Sequence, residues 1–97
     1  MARDFAAELA ECRGKIDDVD RRILDLLNER TRVVERIGKI KADAQLAVYE
    51  PKREDQVFQN VKEHNGGPLS NEAAKRIFER IIDEMRKVQR DRMETGN

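Results

Sequence analysis

Phe5, Leu9, Cys12, Ile16, Val19, Ile23, Leu26, Val33, Ile37 and Ile40 recur at alternating spacings of four and three residues, with position 30 completing the series. This is the seam of a long helix packed against other helices. Running without a break from about Asp4 to about Ala44, such a helix would be roughly 60 Å long. A compact monomer of 97 residues has a radius of gyration of only ~12–13 Å. The helix would outrun its own chain's core, and an obligate dimer of long helices resolves the conflict.

The pattern fades over Asp43 to Glu50, and Pro51 is suited to the first turn of a second helix, with Glu50 just ahead at its positive end. That helix is expected over 51–64, with Val57, Phe58 and Val61 as a sparse apolar stripe. Asn65-Gly66-Gly67-Pro68 stops it. Ser70 is the expected N-cap of a third helix reaching about position 91, with Ala74, Ile77, Phe78, Ile81, Ile82, Met85 and Val88 on its buried face. A disordered tail is expected over 93–97. The expected fold is therefore a single all-α domain over 1–97, three helices per chain, with the partner supplied by a homodimer.

Composition narrows the function. Lys+Arg 20 against Asp+Glu 20 and a pI near 6.6 argue against a nucleic-acid or anionic-membrane surface, which would need a net basic field. Apolar runs are too short to span a bilayer, and Met1-Ala2-Arg3-Asp4 leads into mixed charge, so a cytoplasmic protein is expected. Cys12, the single cysteine, has no internal partner for a disulfide and no second thiol for a Cys-rich metal site. Three Phe, one Tyr and no Trp disfavour a β-sandwich.

Function shows where the helical pattern is violated. Position 30 of the seam is Arg30, which keeps its charge and is costly to bury unpaired. Eleven residues on, Lys41 returns to nearly the same side of the helix, about 16 Å along the axis, with Gly38 between them. Glycine costs roughly 1 kcal/mol inside a helix, so something approaches the backbone there. On the third helix Gln89 lies on the side of Phe78, Ile82 and Met85. Each exception has an ordinary explanation: an Arg paired with a neighbouring carboxylate, a Gly at a helix crossing, a Gln in a frayed turn, and Glu50, Arg53 and Glu54 as a solvated first turn. Together they converge on a polar, cationic pocket enclosed by helices and suited to a small polyanion. No nucleophile–base dyad or metal-ligand cluster accompanies it, and His64 reads as a surface residue near a helix end.

The segments Cys12 to Asp17, Asp20 to Arg30, Ile37-Gly38-Lys39-Ile40-Lys41, Tyr49-Glu50-Pro51-Lys52-Arg53-Glu54 and Ile77-Phe78 through Gln89 resemble, in order and spacing, the all-helical (AroQ-type) chorismate mutases. The resemblance covers residues 8 to 90. It implies an intertwined dimer with two active sites, each completed by an Arg from the partner, and conversion of chorismate to prephenate by a Claisen rearrangement that needs no cofactor or metal. Arg13 lies 28 residues before Lys41, about 42 Å along a straight helix, so an antiparallel partner is needed to bring Arg13 to the other chain's site.

By resemblance, Arg30 and the partner's Arg13 hold the substrate carboxylates, while Lys41 and Gln89 donate to the ether oxygen. Glu54 and the backbone at Glu50 bind the ring hydroxyl, Arg53 braces the pocket, and Ile37, Val57 and Ile82 form apolar walls. Met85 occupies a substrate-contacting position where some members have Ser, and Glu50 stands where many have Asp. Gln89 is an amide where some relatives have Glu, so no acid is needed to keep that donor protonated. Rival readings are an isochorismate-pyruvate lyase of the same fold, a non-catalytic dimeric helical module and a helical RNA-binding dimer; the neutral charge balance weighs against the last.

Overall fold

The computed structural model describes residues 2–94. Three helices are present: α1 over Phe5–Ala44, α2 over Pro51–His64 and α3 over Asn71–Glu94. No strand occurs among the described residues. None of the described helices is long and apolar enough to cross a membrane. The tail expected over 93–97 is helical at Met93 and Glu94, and positions 95–97 lie outside the described residues.

Local chemistry accounts for the helix ends. Asp4 caps α1, its Oδ1 accepting from the Ala7 backbone N–H at 3.0 Å, which satisfies one of the donors a helix start leaves over. At the other end Leu46 N–H donates to the Lys41 carbonyl at 2.8 Å and Gln45 N–H to the Ala42 carbonyl at 3.2 Å. That pair of bonds is a Schellman termination. It requires a left-handed residue, and Gln45 takes that conformation at φ 57° in place of the usual glycine. Pro51 opens α2, and Asn65 closes it by donating from its backbone to the Val61 carbonyl at 3.0 Å. Ser70 caps α3 as expected, its Oγ accepting from Ala73 N–H at 3.1 Å.

The chain divides into two units, the first ending at Arg32 and the second beginning at Val33. The first consists of the helical stretch of α1 that carries most of the apolar seam. Phe5, Leu9, Ile16, Val19, Ile23 and Leu26 are all exposed there. The second unit holds the end of α1 together with α2 and α3. Its core is small: Val34, Ala74, Ile82 and Met85 are buried, along with Gly38 and Lys41 of α1. The face of α1 that packs within its own chain is therefore Val34–Gly38–Lys41, one position round from the seam residues Val33, Ile37 and Ile40, which stay exposed. Ile77, expected on the buried face of α3, is exposed as well.

Gly38 explains itself in this packing. A Cβ there would lie 3.2 Å from Arg92 Cβ and 3.3 Å from the Gln89 carbonyl oxygen. The glycine marks a helix crossing, the more ordinary of its two readings, and the backbone that approaches it is that of α3. Glu35, one turn before Gly38, pairs with Arg92 and ties the crossing on its outer side.

Candidate active site

Lys41 is the centre of the second unit's polar chemistry. It sits in the last turn of α1, the negative end of the helix dipole, and is only 6% exposed. A lysine ammonium has three N–H donors, and three acceptors surround it. Nζ donates to the Val48 carbonyl at 2.9 Å and to Gln89 Oε1 at 2.9 Å, and lies 2.6 Å from Glu50 Oε1. The Schellman turn makes this possible, because it reverses the chain directly after α1 and returns Val48 and Glu50 to the end of the helix that carries Lys41. Glu50 is the N-cap residue of α2, yet its side chain makes no cap bond; its carboxylate answers Lys41.

The bond to Lys41 decides how Gln89 is oriented. Lysine can only donate, so the amide oxygen must face it, and the NH2 group is the end that points away. A buried cation thus holds a neutral amide as a fixed donor.

Glu54, on the first turn of α2, is gripped by a residue the sequence reading did not single out. Arg86 of α3 donates through Nε to Glu54 Oε2 at 2.8 Å and through Nη2 to Oε1 at 2.6 Å. This is a bidentate fork of the strong, charge-assisted kind. The Arg86 hydrogen bond holds the Glu54 carboxyl below its ordinary range, with the charge of Lys41 adding a smaller pull in the same direction. Reciprocally, the bond to Glu54 raises Arg86 above its ordinary value. Arg86 also donates to Asp83 at 2.8 Å and lies over the Tyr49 ring, 5.5 Å from its centroid. A signal for Arg86 was present in the sequence: it lies four residues after Ile82 and three before Gln89, a charge on an inward stripe of the same kind as Arg30.

The structure brings Lys41, Glu50 and Gln89 together, and adds Glu54 clamped by Arg86. Within this group two cations, Lys41 and Arg86, stand against two carboxylates, Glu50 and Glu54. Arg53 is exposed and donates to Gln56 Oε1, three residues along its own helix, at 2.7 Å. Met85 is buried in the core. Ile82 is buried, Val57 half-buried and Ile37 exposed. Arg13 and Arg30 lie on α1 within the first unit, Arg13 exposed and Arg30 half-buried. His64 is exposed, its Nδ1 bonded to the Asn60 carbonyl at 2.8 Å. Among the described residues no group of three or more His, Cys, Asp or Glu side chains is arranged to hold a metal ion.

Known proteins share both the fold and the sequence pattern. The chain superposes with a TM-score of 0.83 on a chorismate mutase structure (form II) from Thermus thermophilus, covering 86% of this chain and 94% of that one at 31% identity. The fold is that of the all-helical chorismate mutases. The pattern of the chorismate mutase type II family matches residues 12–90, and the chain belongs to that family. It is 30% identical to the chorismate mutase of Methanocaldococcus jannaschii over 90% of this chain and 89% of the relative. It is 43% identical to the bifunctional chorismate mutase/prephenate dehydratase of Aquifex aeolicus over 77% of this chain. The chain spans 22% of that longer relative's length.

Proposed function

We propose that the chain isomerises chorismate to prephenate in aromatic amino-acid biosynthesis. The observation that carries the reading is the Lys41–Gln89 bond at 2.9 Å, which couples a buried ammonium to an amide turned to donate. The rearrangement is unimolecular: an ether C–O bond breaks while a C–C bond forms, and negative charge builds on the ether oxygen. Catalysis then reduces to two tasks, holding the flexible enolpyruvyl arm folded over the ring and placing donors where that charge develops. Gln89 serves the second task through its N–H, with Lys41 beside it supplying positive charge. Glu54 accepts the ring hydroxyl, together with the backbone at Glu50. Arg30 and Arg13 of the partner subunit bind the two carboxylates, Arg53 braces the pocket, and Met85, Ile37, Val57 and Ile82 line it.

The reading includes a homodimer. Its support is the exposed seam: Phe5, Leu9, Ile16, Val19, Ile23 and Leu26 form one long apolar stripe of the kind that a second helix covers. Dimerisation also supplies the second carboxylate-binding Arg, since Arg13 is too far along the same helix to serve the site of its own chain.

The test is to incubate the purified chain with chorismate and, separately, with isochorismate. Prephenate from chorismate supports the reading. Salicylate plus pyruvate from isochorismate would transfer it to the lyase of the same fold. Failure of both substrates to react and to raise the melting temperature would favour a non-catalytic helical module.

A further inference from the structure

The Arg86–Glu54 clamp has geometry beyond that of an ordinary helix-to-helix ion pair. Both partners are sheltered, with the Glu54 side chain 17% and the Arg86 side chain 29% exposed. The fork uses Nε and Nη2 of Arg86 on the two different oxygens of one carboxylate. That arrangement fixes the plane of the carboxylate as well as its position, which a single contact cannot do. Arg86 is itself held from two further sides, by Asp83 through Nη1 and by the face of Tyr49. The clamp therefore connects the loop after α1, the first turn of α2 and the stretch of α3 that carries Gln89.

An ionised carboxylate has about four lone-pair directions, and the fork occupies one on each oxygen. The remaining lone pairs can still accept a hydrogen bond, whereas the fork disfavours a proton on either oxygen. A carboxylate held in this way can accept a hydroxyl group but is poorly suited to donate to an anion or to remove a proton. We infer that Arg86 is a positioning residue that keeps Glu54 oriented as an acceptor for the substrate's ring hydroxyl. This rests on the proposed mutase reading, in which Glu54 meets that hydroxyl.

Arg86 faces Glu54 from α3, with Asp83 behind Arg86, and Lys41 faces it from α1, with Glu50 on Lys41; Tyr49 lies against Arg86 from the connecting loop. Arg86 is the main cause that keeps Glu54 ionised, and Lys41 a lesser one. Loss of Arg86 therefore lets Glu54 take up a proton at a higher pH than in the wild type.

Steady-state kinetics on chorismate between about pH 4 and 8, with the wild type, Arg86→Met, Arg86→Gln and Arg86→Lys, tests the inference. The ring hydroxyl takes no part in the bonds that break and form, so loss of its contact is expected to act mainly on KM. For Arg86→Met the expected result is a KM about tenfold to a hundredfold higher, a smaller change in kcat, and an acid limb of kcat/KM displaced upward in pH. Arg86→Lys should recover part of the loss, since it restores the charge without the fork. In a Glu54→Gln background, Arg86→Met should cost little more, because the two side chains act as one unit.

Arg86→Met with a lowered melting temperature but a wild-type KM and acid limb would overturn the inference and leave a purely structural ion pair. If the methionine variant does not fold, Arg86→Gln decides by the same two readouts. A wild-type chain inactive on chorismate would fail the mutase reading and this inference with it. An active wild type with indifferent Arg86 variants fails this inference alone.

Discussion

Lys41 Nζ donates to Gln89 Oε1 at 2.9 Å across 48 positions of sequence, and that bond sets which end of the amide is available to a substrate. Removing the ammonium should therefore cost twice, once in positive charge and once in the orientation of Gln89. Lys41→Ala is expected to lower kcat by about a hundredfold to a thousandfold, the usual cost of losing a donor to a developing oxyanion. Circular dichroism should remain helical, and turnover near the wild-type level would contradict the assignment.

Replacing the amide by an acid tests the same relationship from the other side. In Gln89→Glu a carboxylate faces Lys41, and once ionised it has no N–H or O–H to donate. Wild-type kcat should vary little between about pH 5 and 8, because an amide does not titrate. The variant should be most active at the acid end and lose activity as pH rises and the carboxyl ionises. A flat profile for Gln89→Glu would remove Gln89 from the donor role.

At Gly38 the backbone of α3 comes close to that of α1. An alanine there would gain roughly 1 kcal/mol of helix propensity, but its methyl group meets the Gln89 carbonyl oxygen at 3.3 Å, and a backbone atom gives way only if the helix moves. Overpacking of this kind costs about 1–3 kcal/mol. Gly38→Ala should therefore be neutral to modestly destabilised in thermal melts and should lose about tenfold in kcat, since any shift of α3 moves Gln89. Undiminished turnover would mean that the crossing distance does not control the donor.

The Glu54–Arg86 pair makes stability depend on pH in one direction. Glu54 is held below its ordinary value of 4.5, so its contribution is fully present above that value and is lost as pH falls through the lower, folded-state value. Arg86 stays charged throughout and adds no pH dependence of its own in this range. The melting-temperature gap between the wild type and Arg86→Met should be constant from about pH 7 to 5 and should narrow below about pH 4.5. A gap that widens with acid would contradict the sign of the linkage.

The exposed seam has its own test. Ile23 is 48% exposed, and in a dimer it would lie under the partner helix. Sedimentation equilibrium should find the wild type dimeric. Ile23→Glu, which buries a charge in that interface, should weaken association by about a hundredfold or more and reduce helicity together with activity. A monomeric wild type with full activity would exclude the shared site.

Much of this was legible in the residues themselves. The 4-3 spacing marked α1, Pro51 and Ser70 marked the starts of α2 and α3, and Arg30, Lys41, Gly38 and Gln89 stood out as exceptions to an apolar pattern. Arg86 did not, although it occupies a stripe between Ile82 and Gln89, because a charge one turn from a surface carboxylate such as Asp83 reads as an ordinary helix pair. Arg53, read as part of the pocket, donates to Gln56 of its own helix.

What the sequence determined by itself is what local chemistry decides: helix periodicity, caps, breaks and the presence of polar residues on apolar faces, all of which depend on neighbours within about four positions. The tertiary structure alone decided which face of α1 is buried in its own chain, Val34–Gly38–Lys41 rather than Val33–Ile37–Ile40. It also decided that Lys41 captures Val48, Glu50 and Gln89, and that Glu54 belongs to Arg86, 32 positions away. The reason is physical: a helix pattern gives the direction of a side chain about its own axis, but its partner depends on how two axes approach, and that is set by the summed packing of the whole unit.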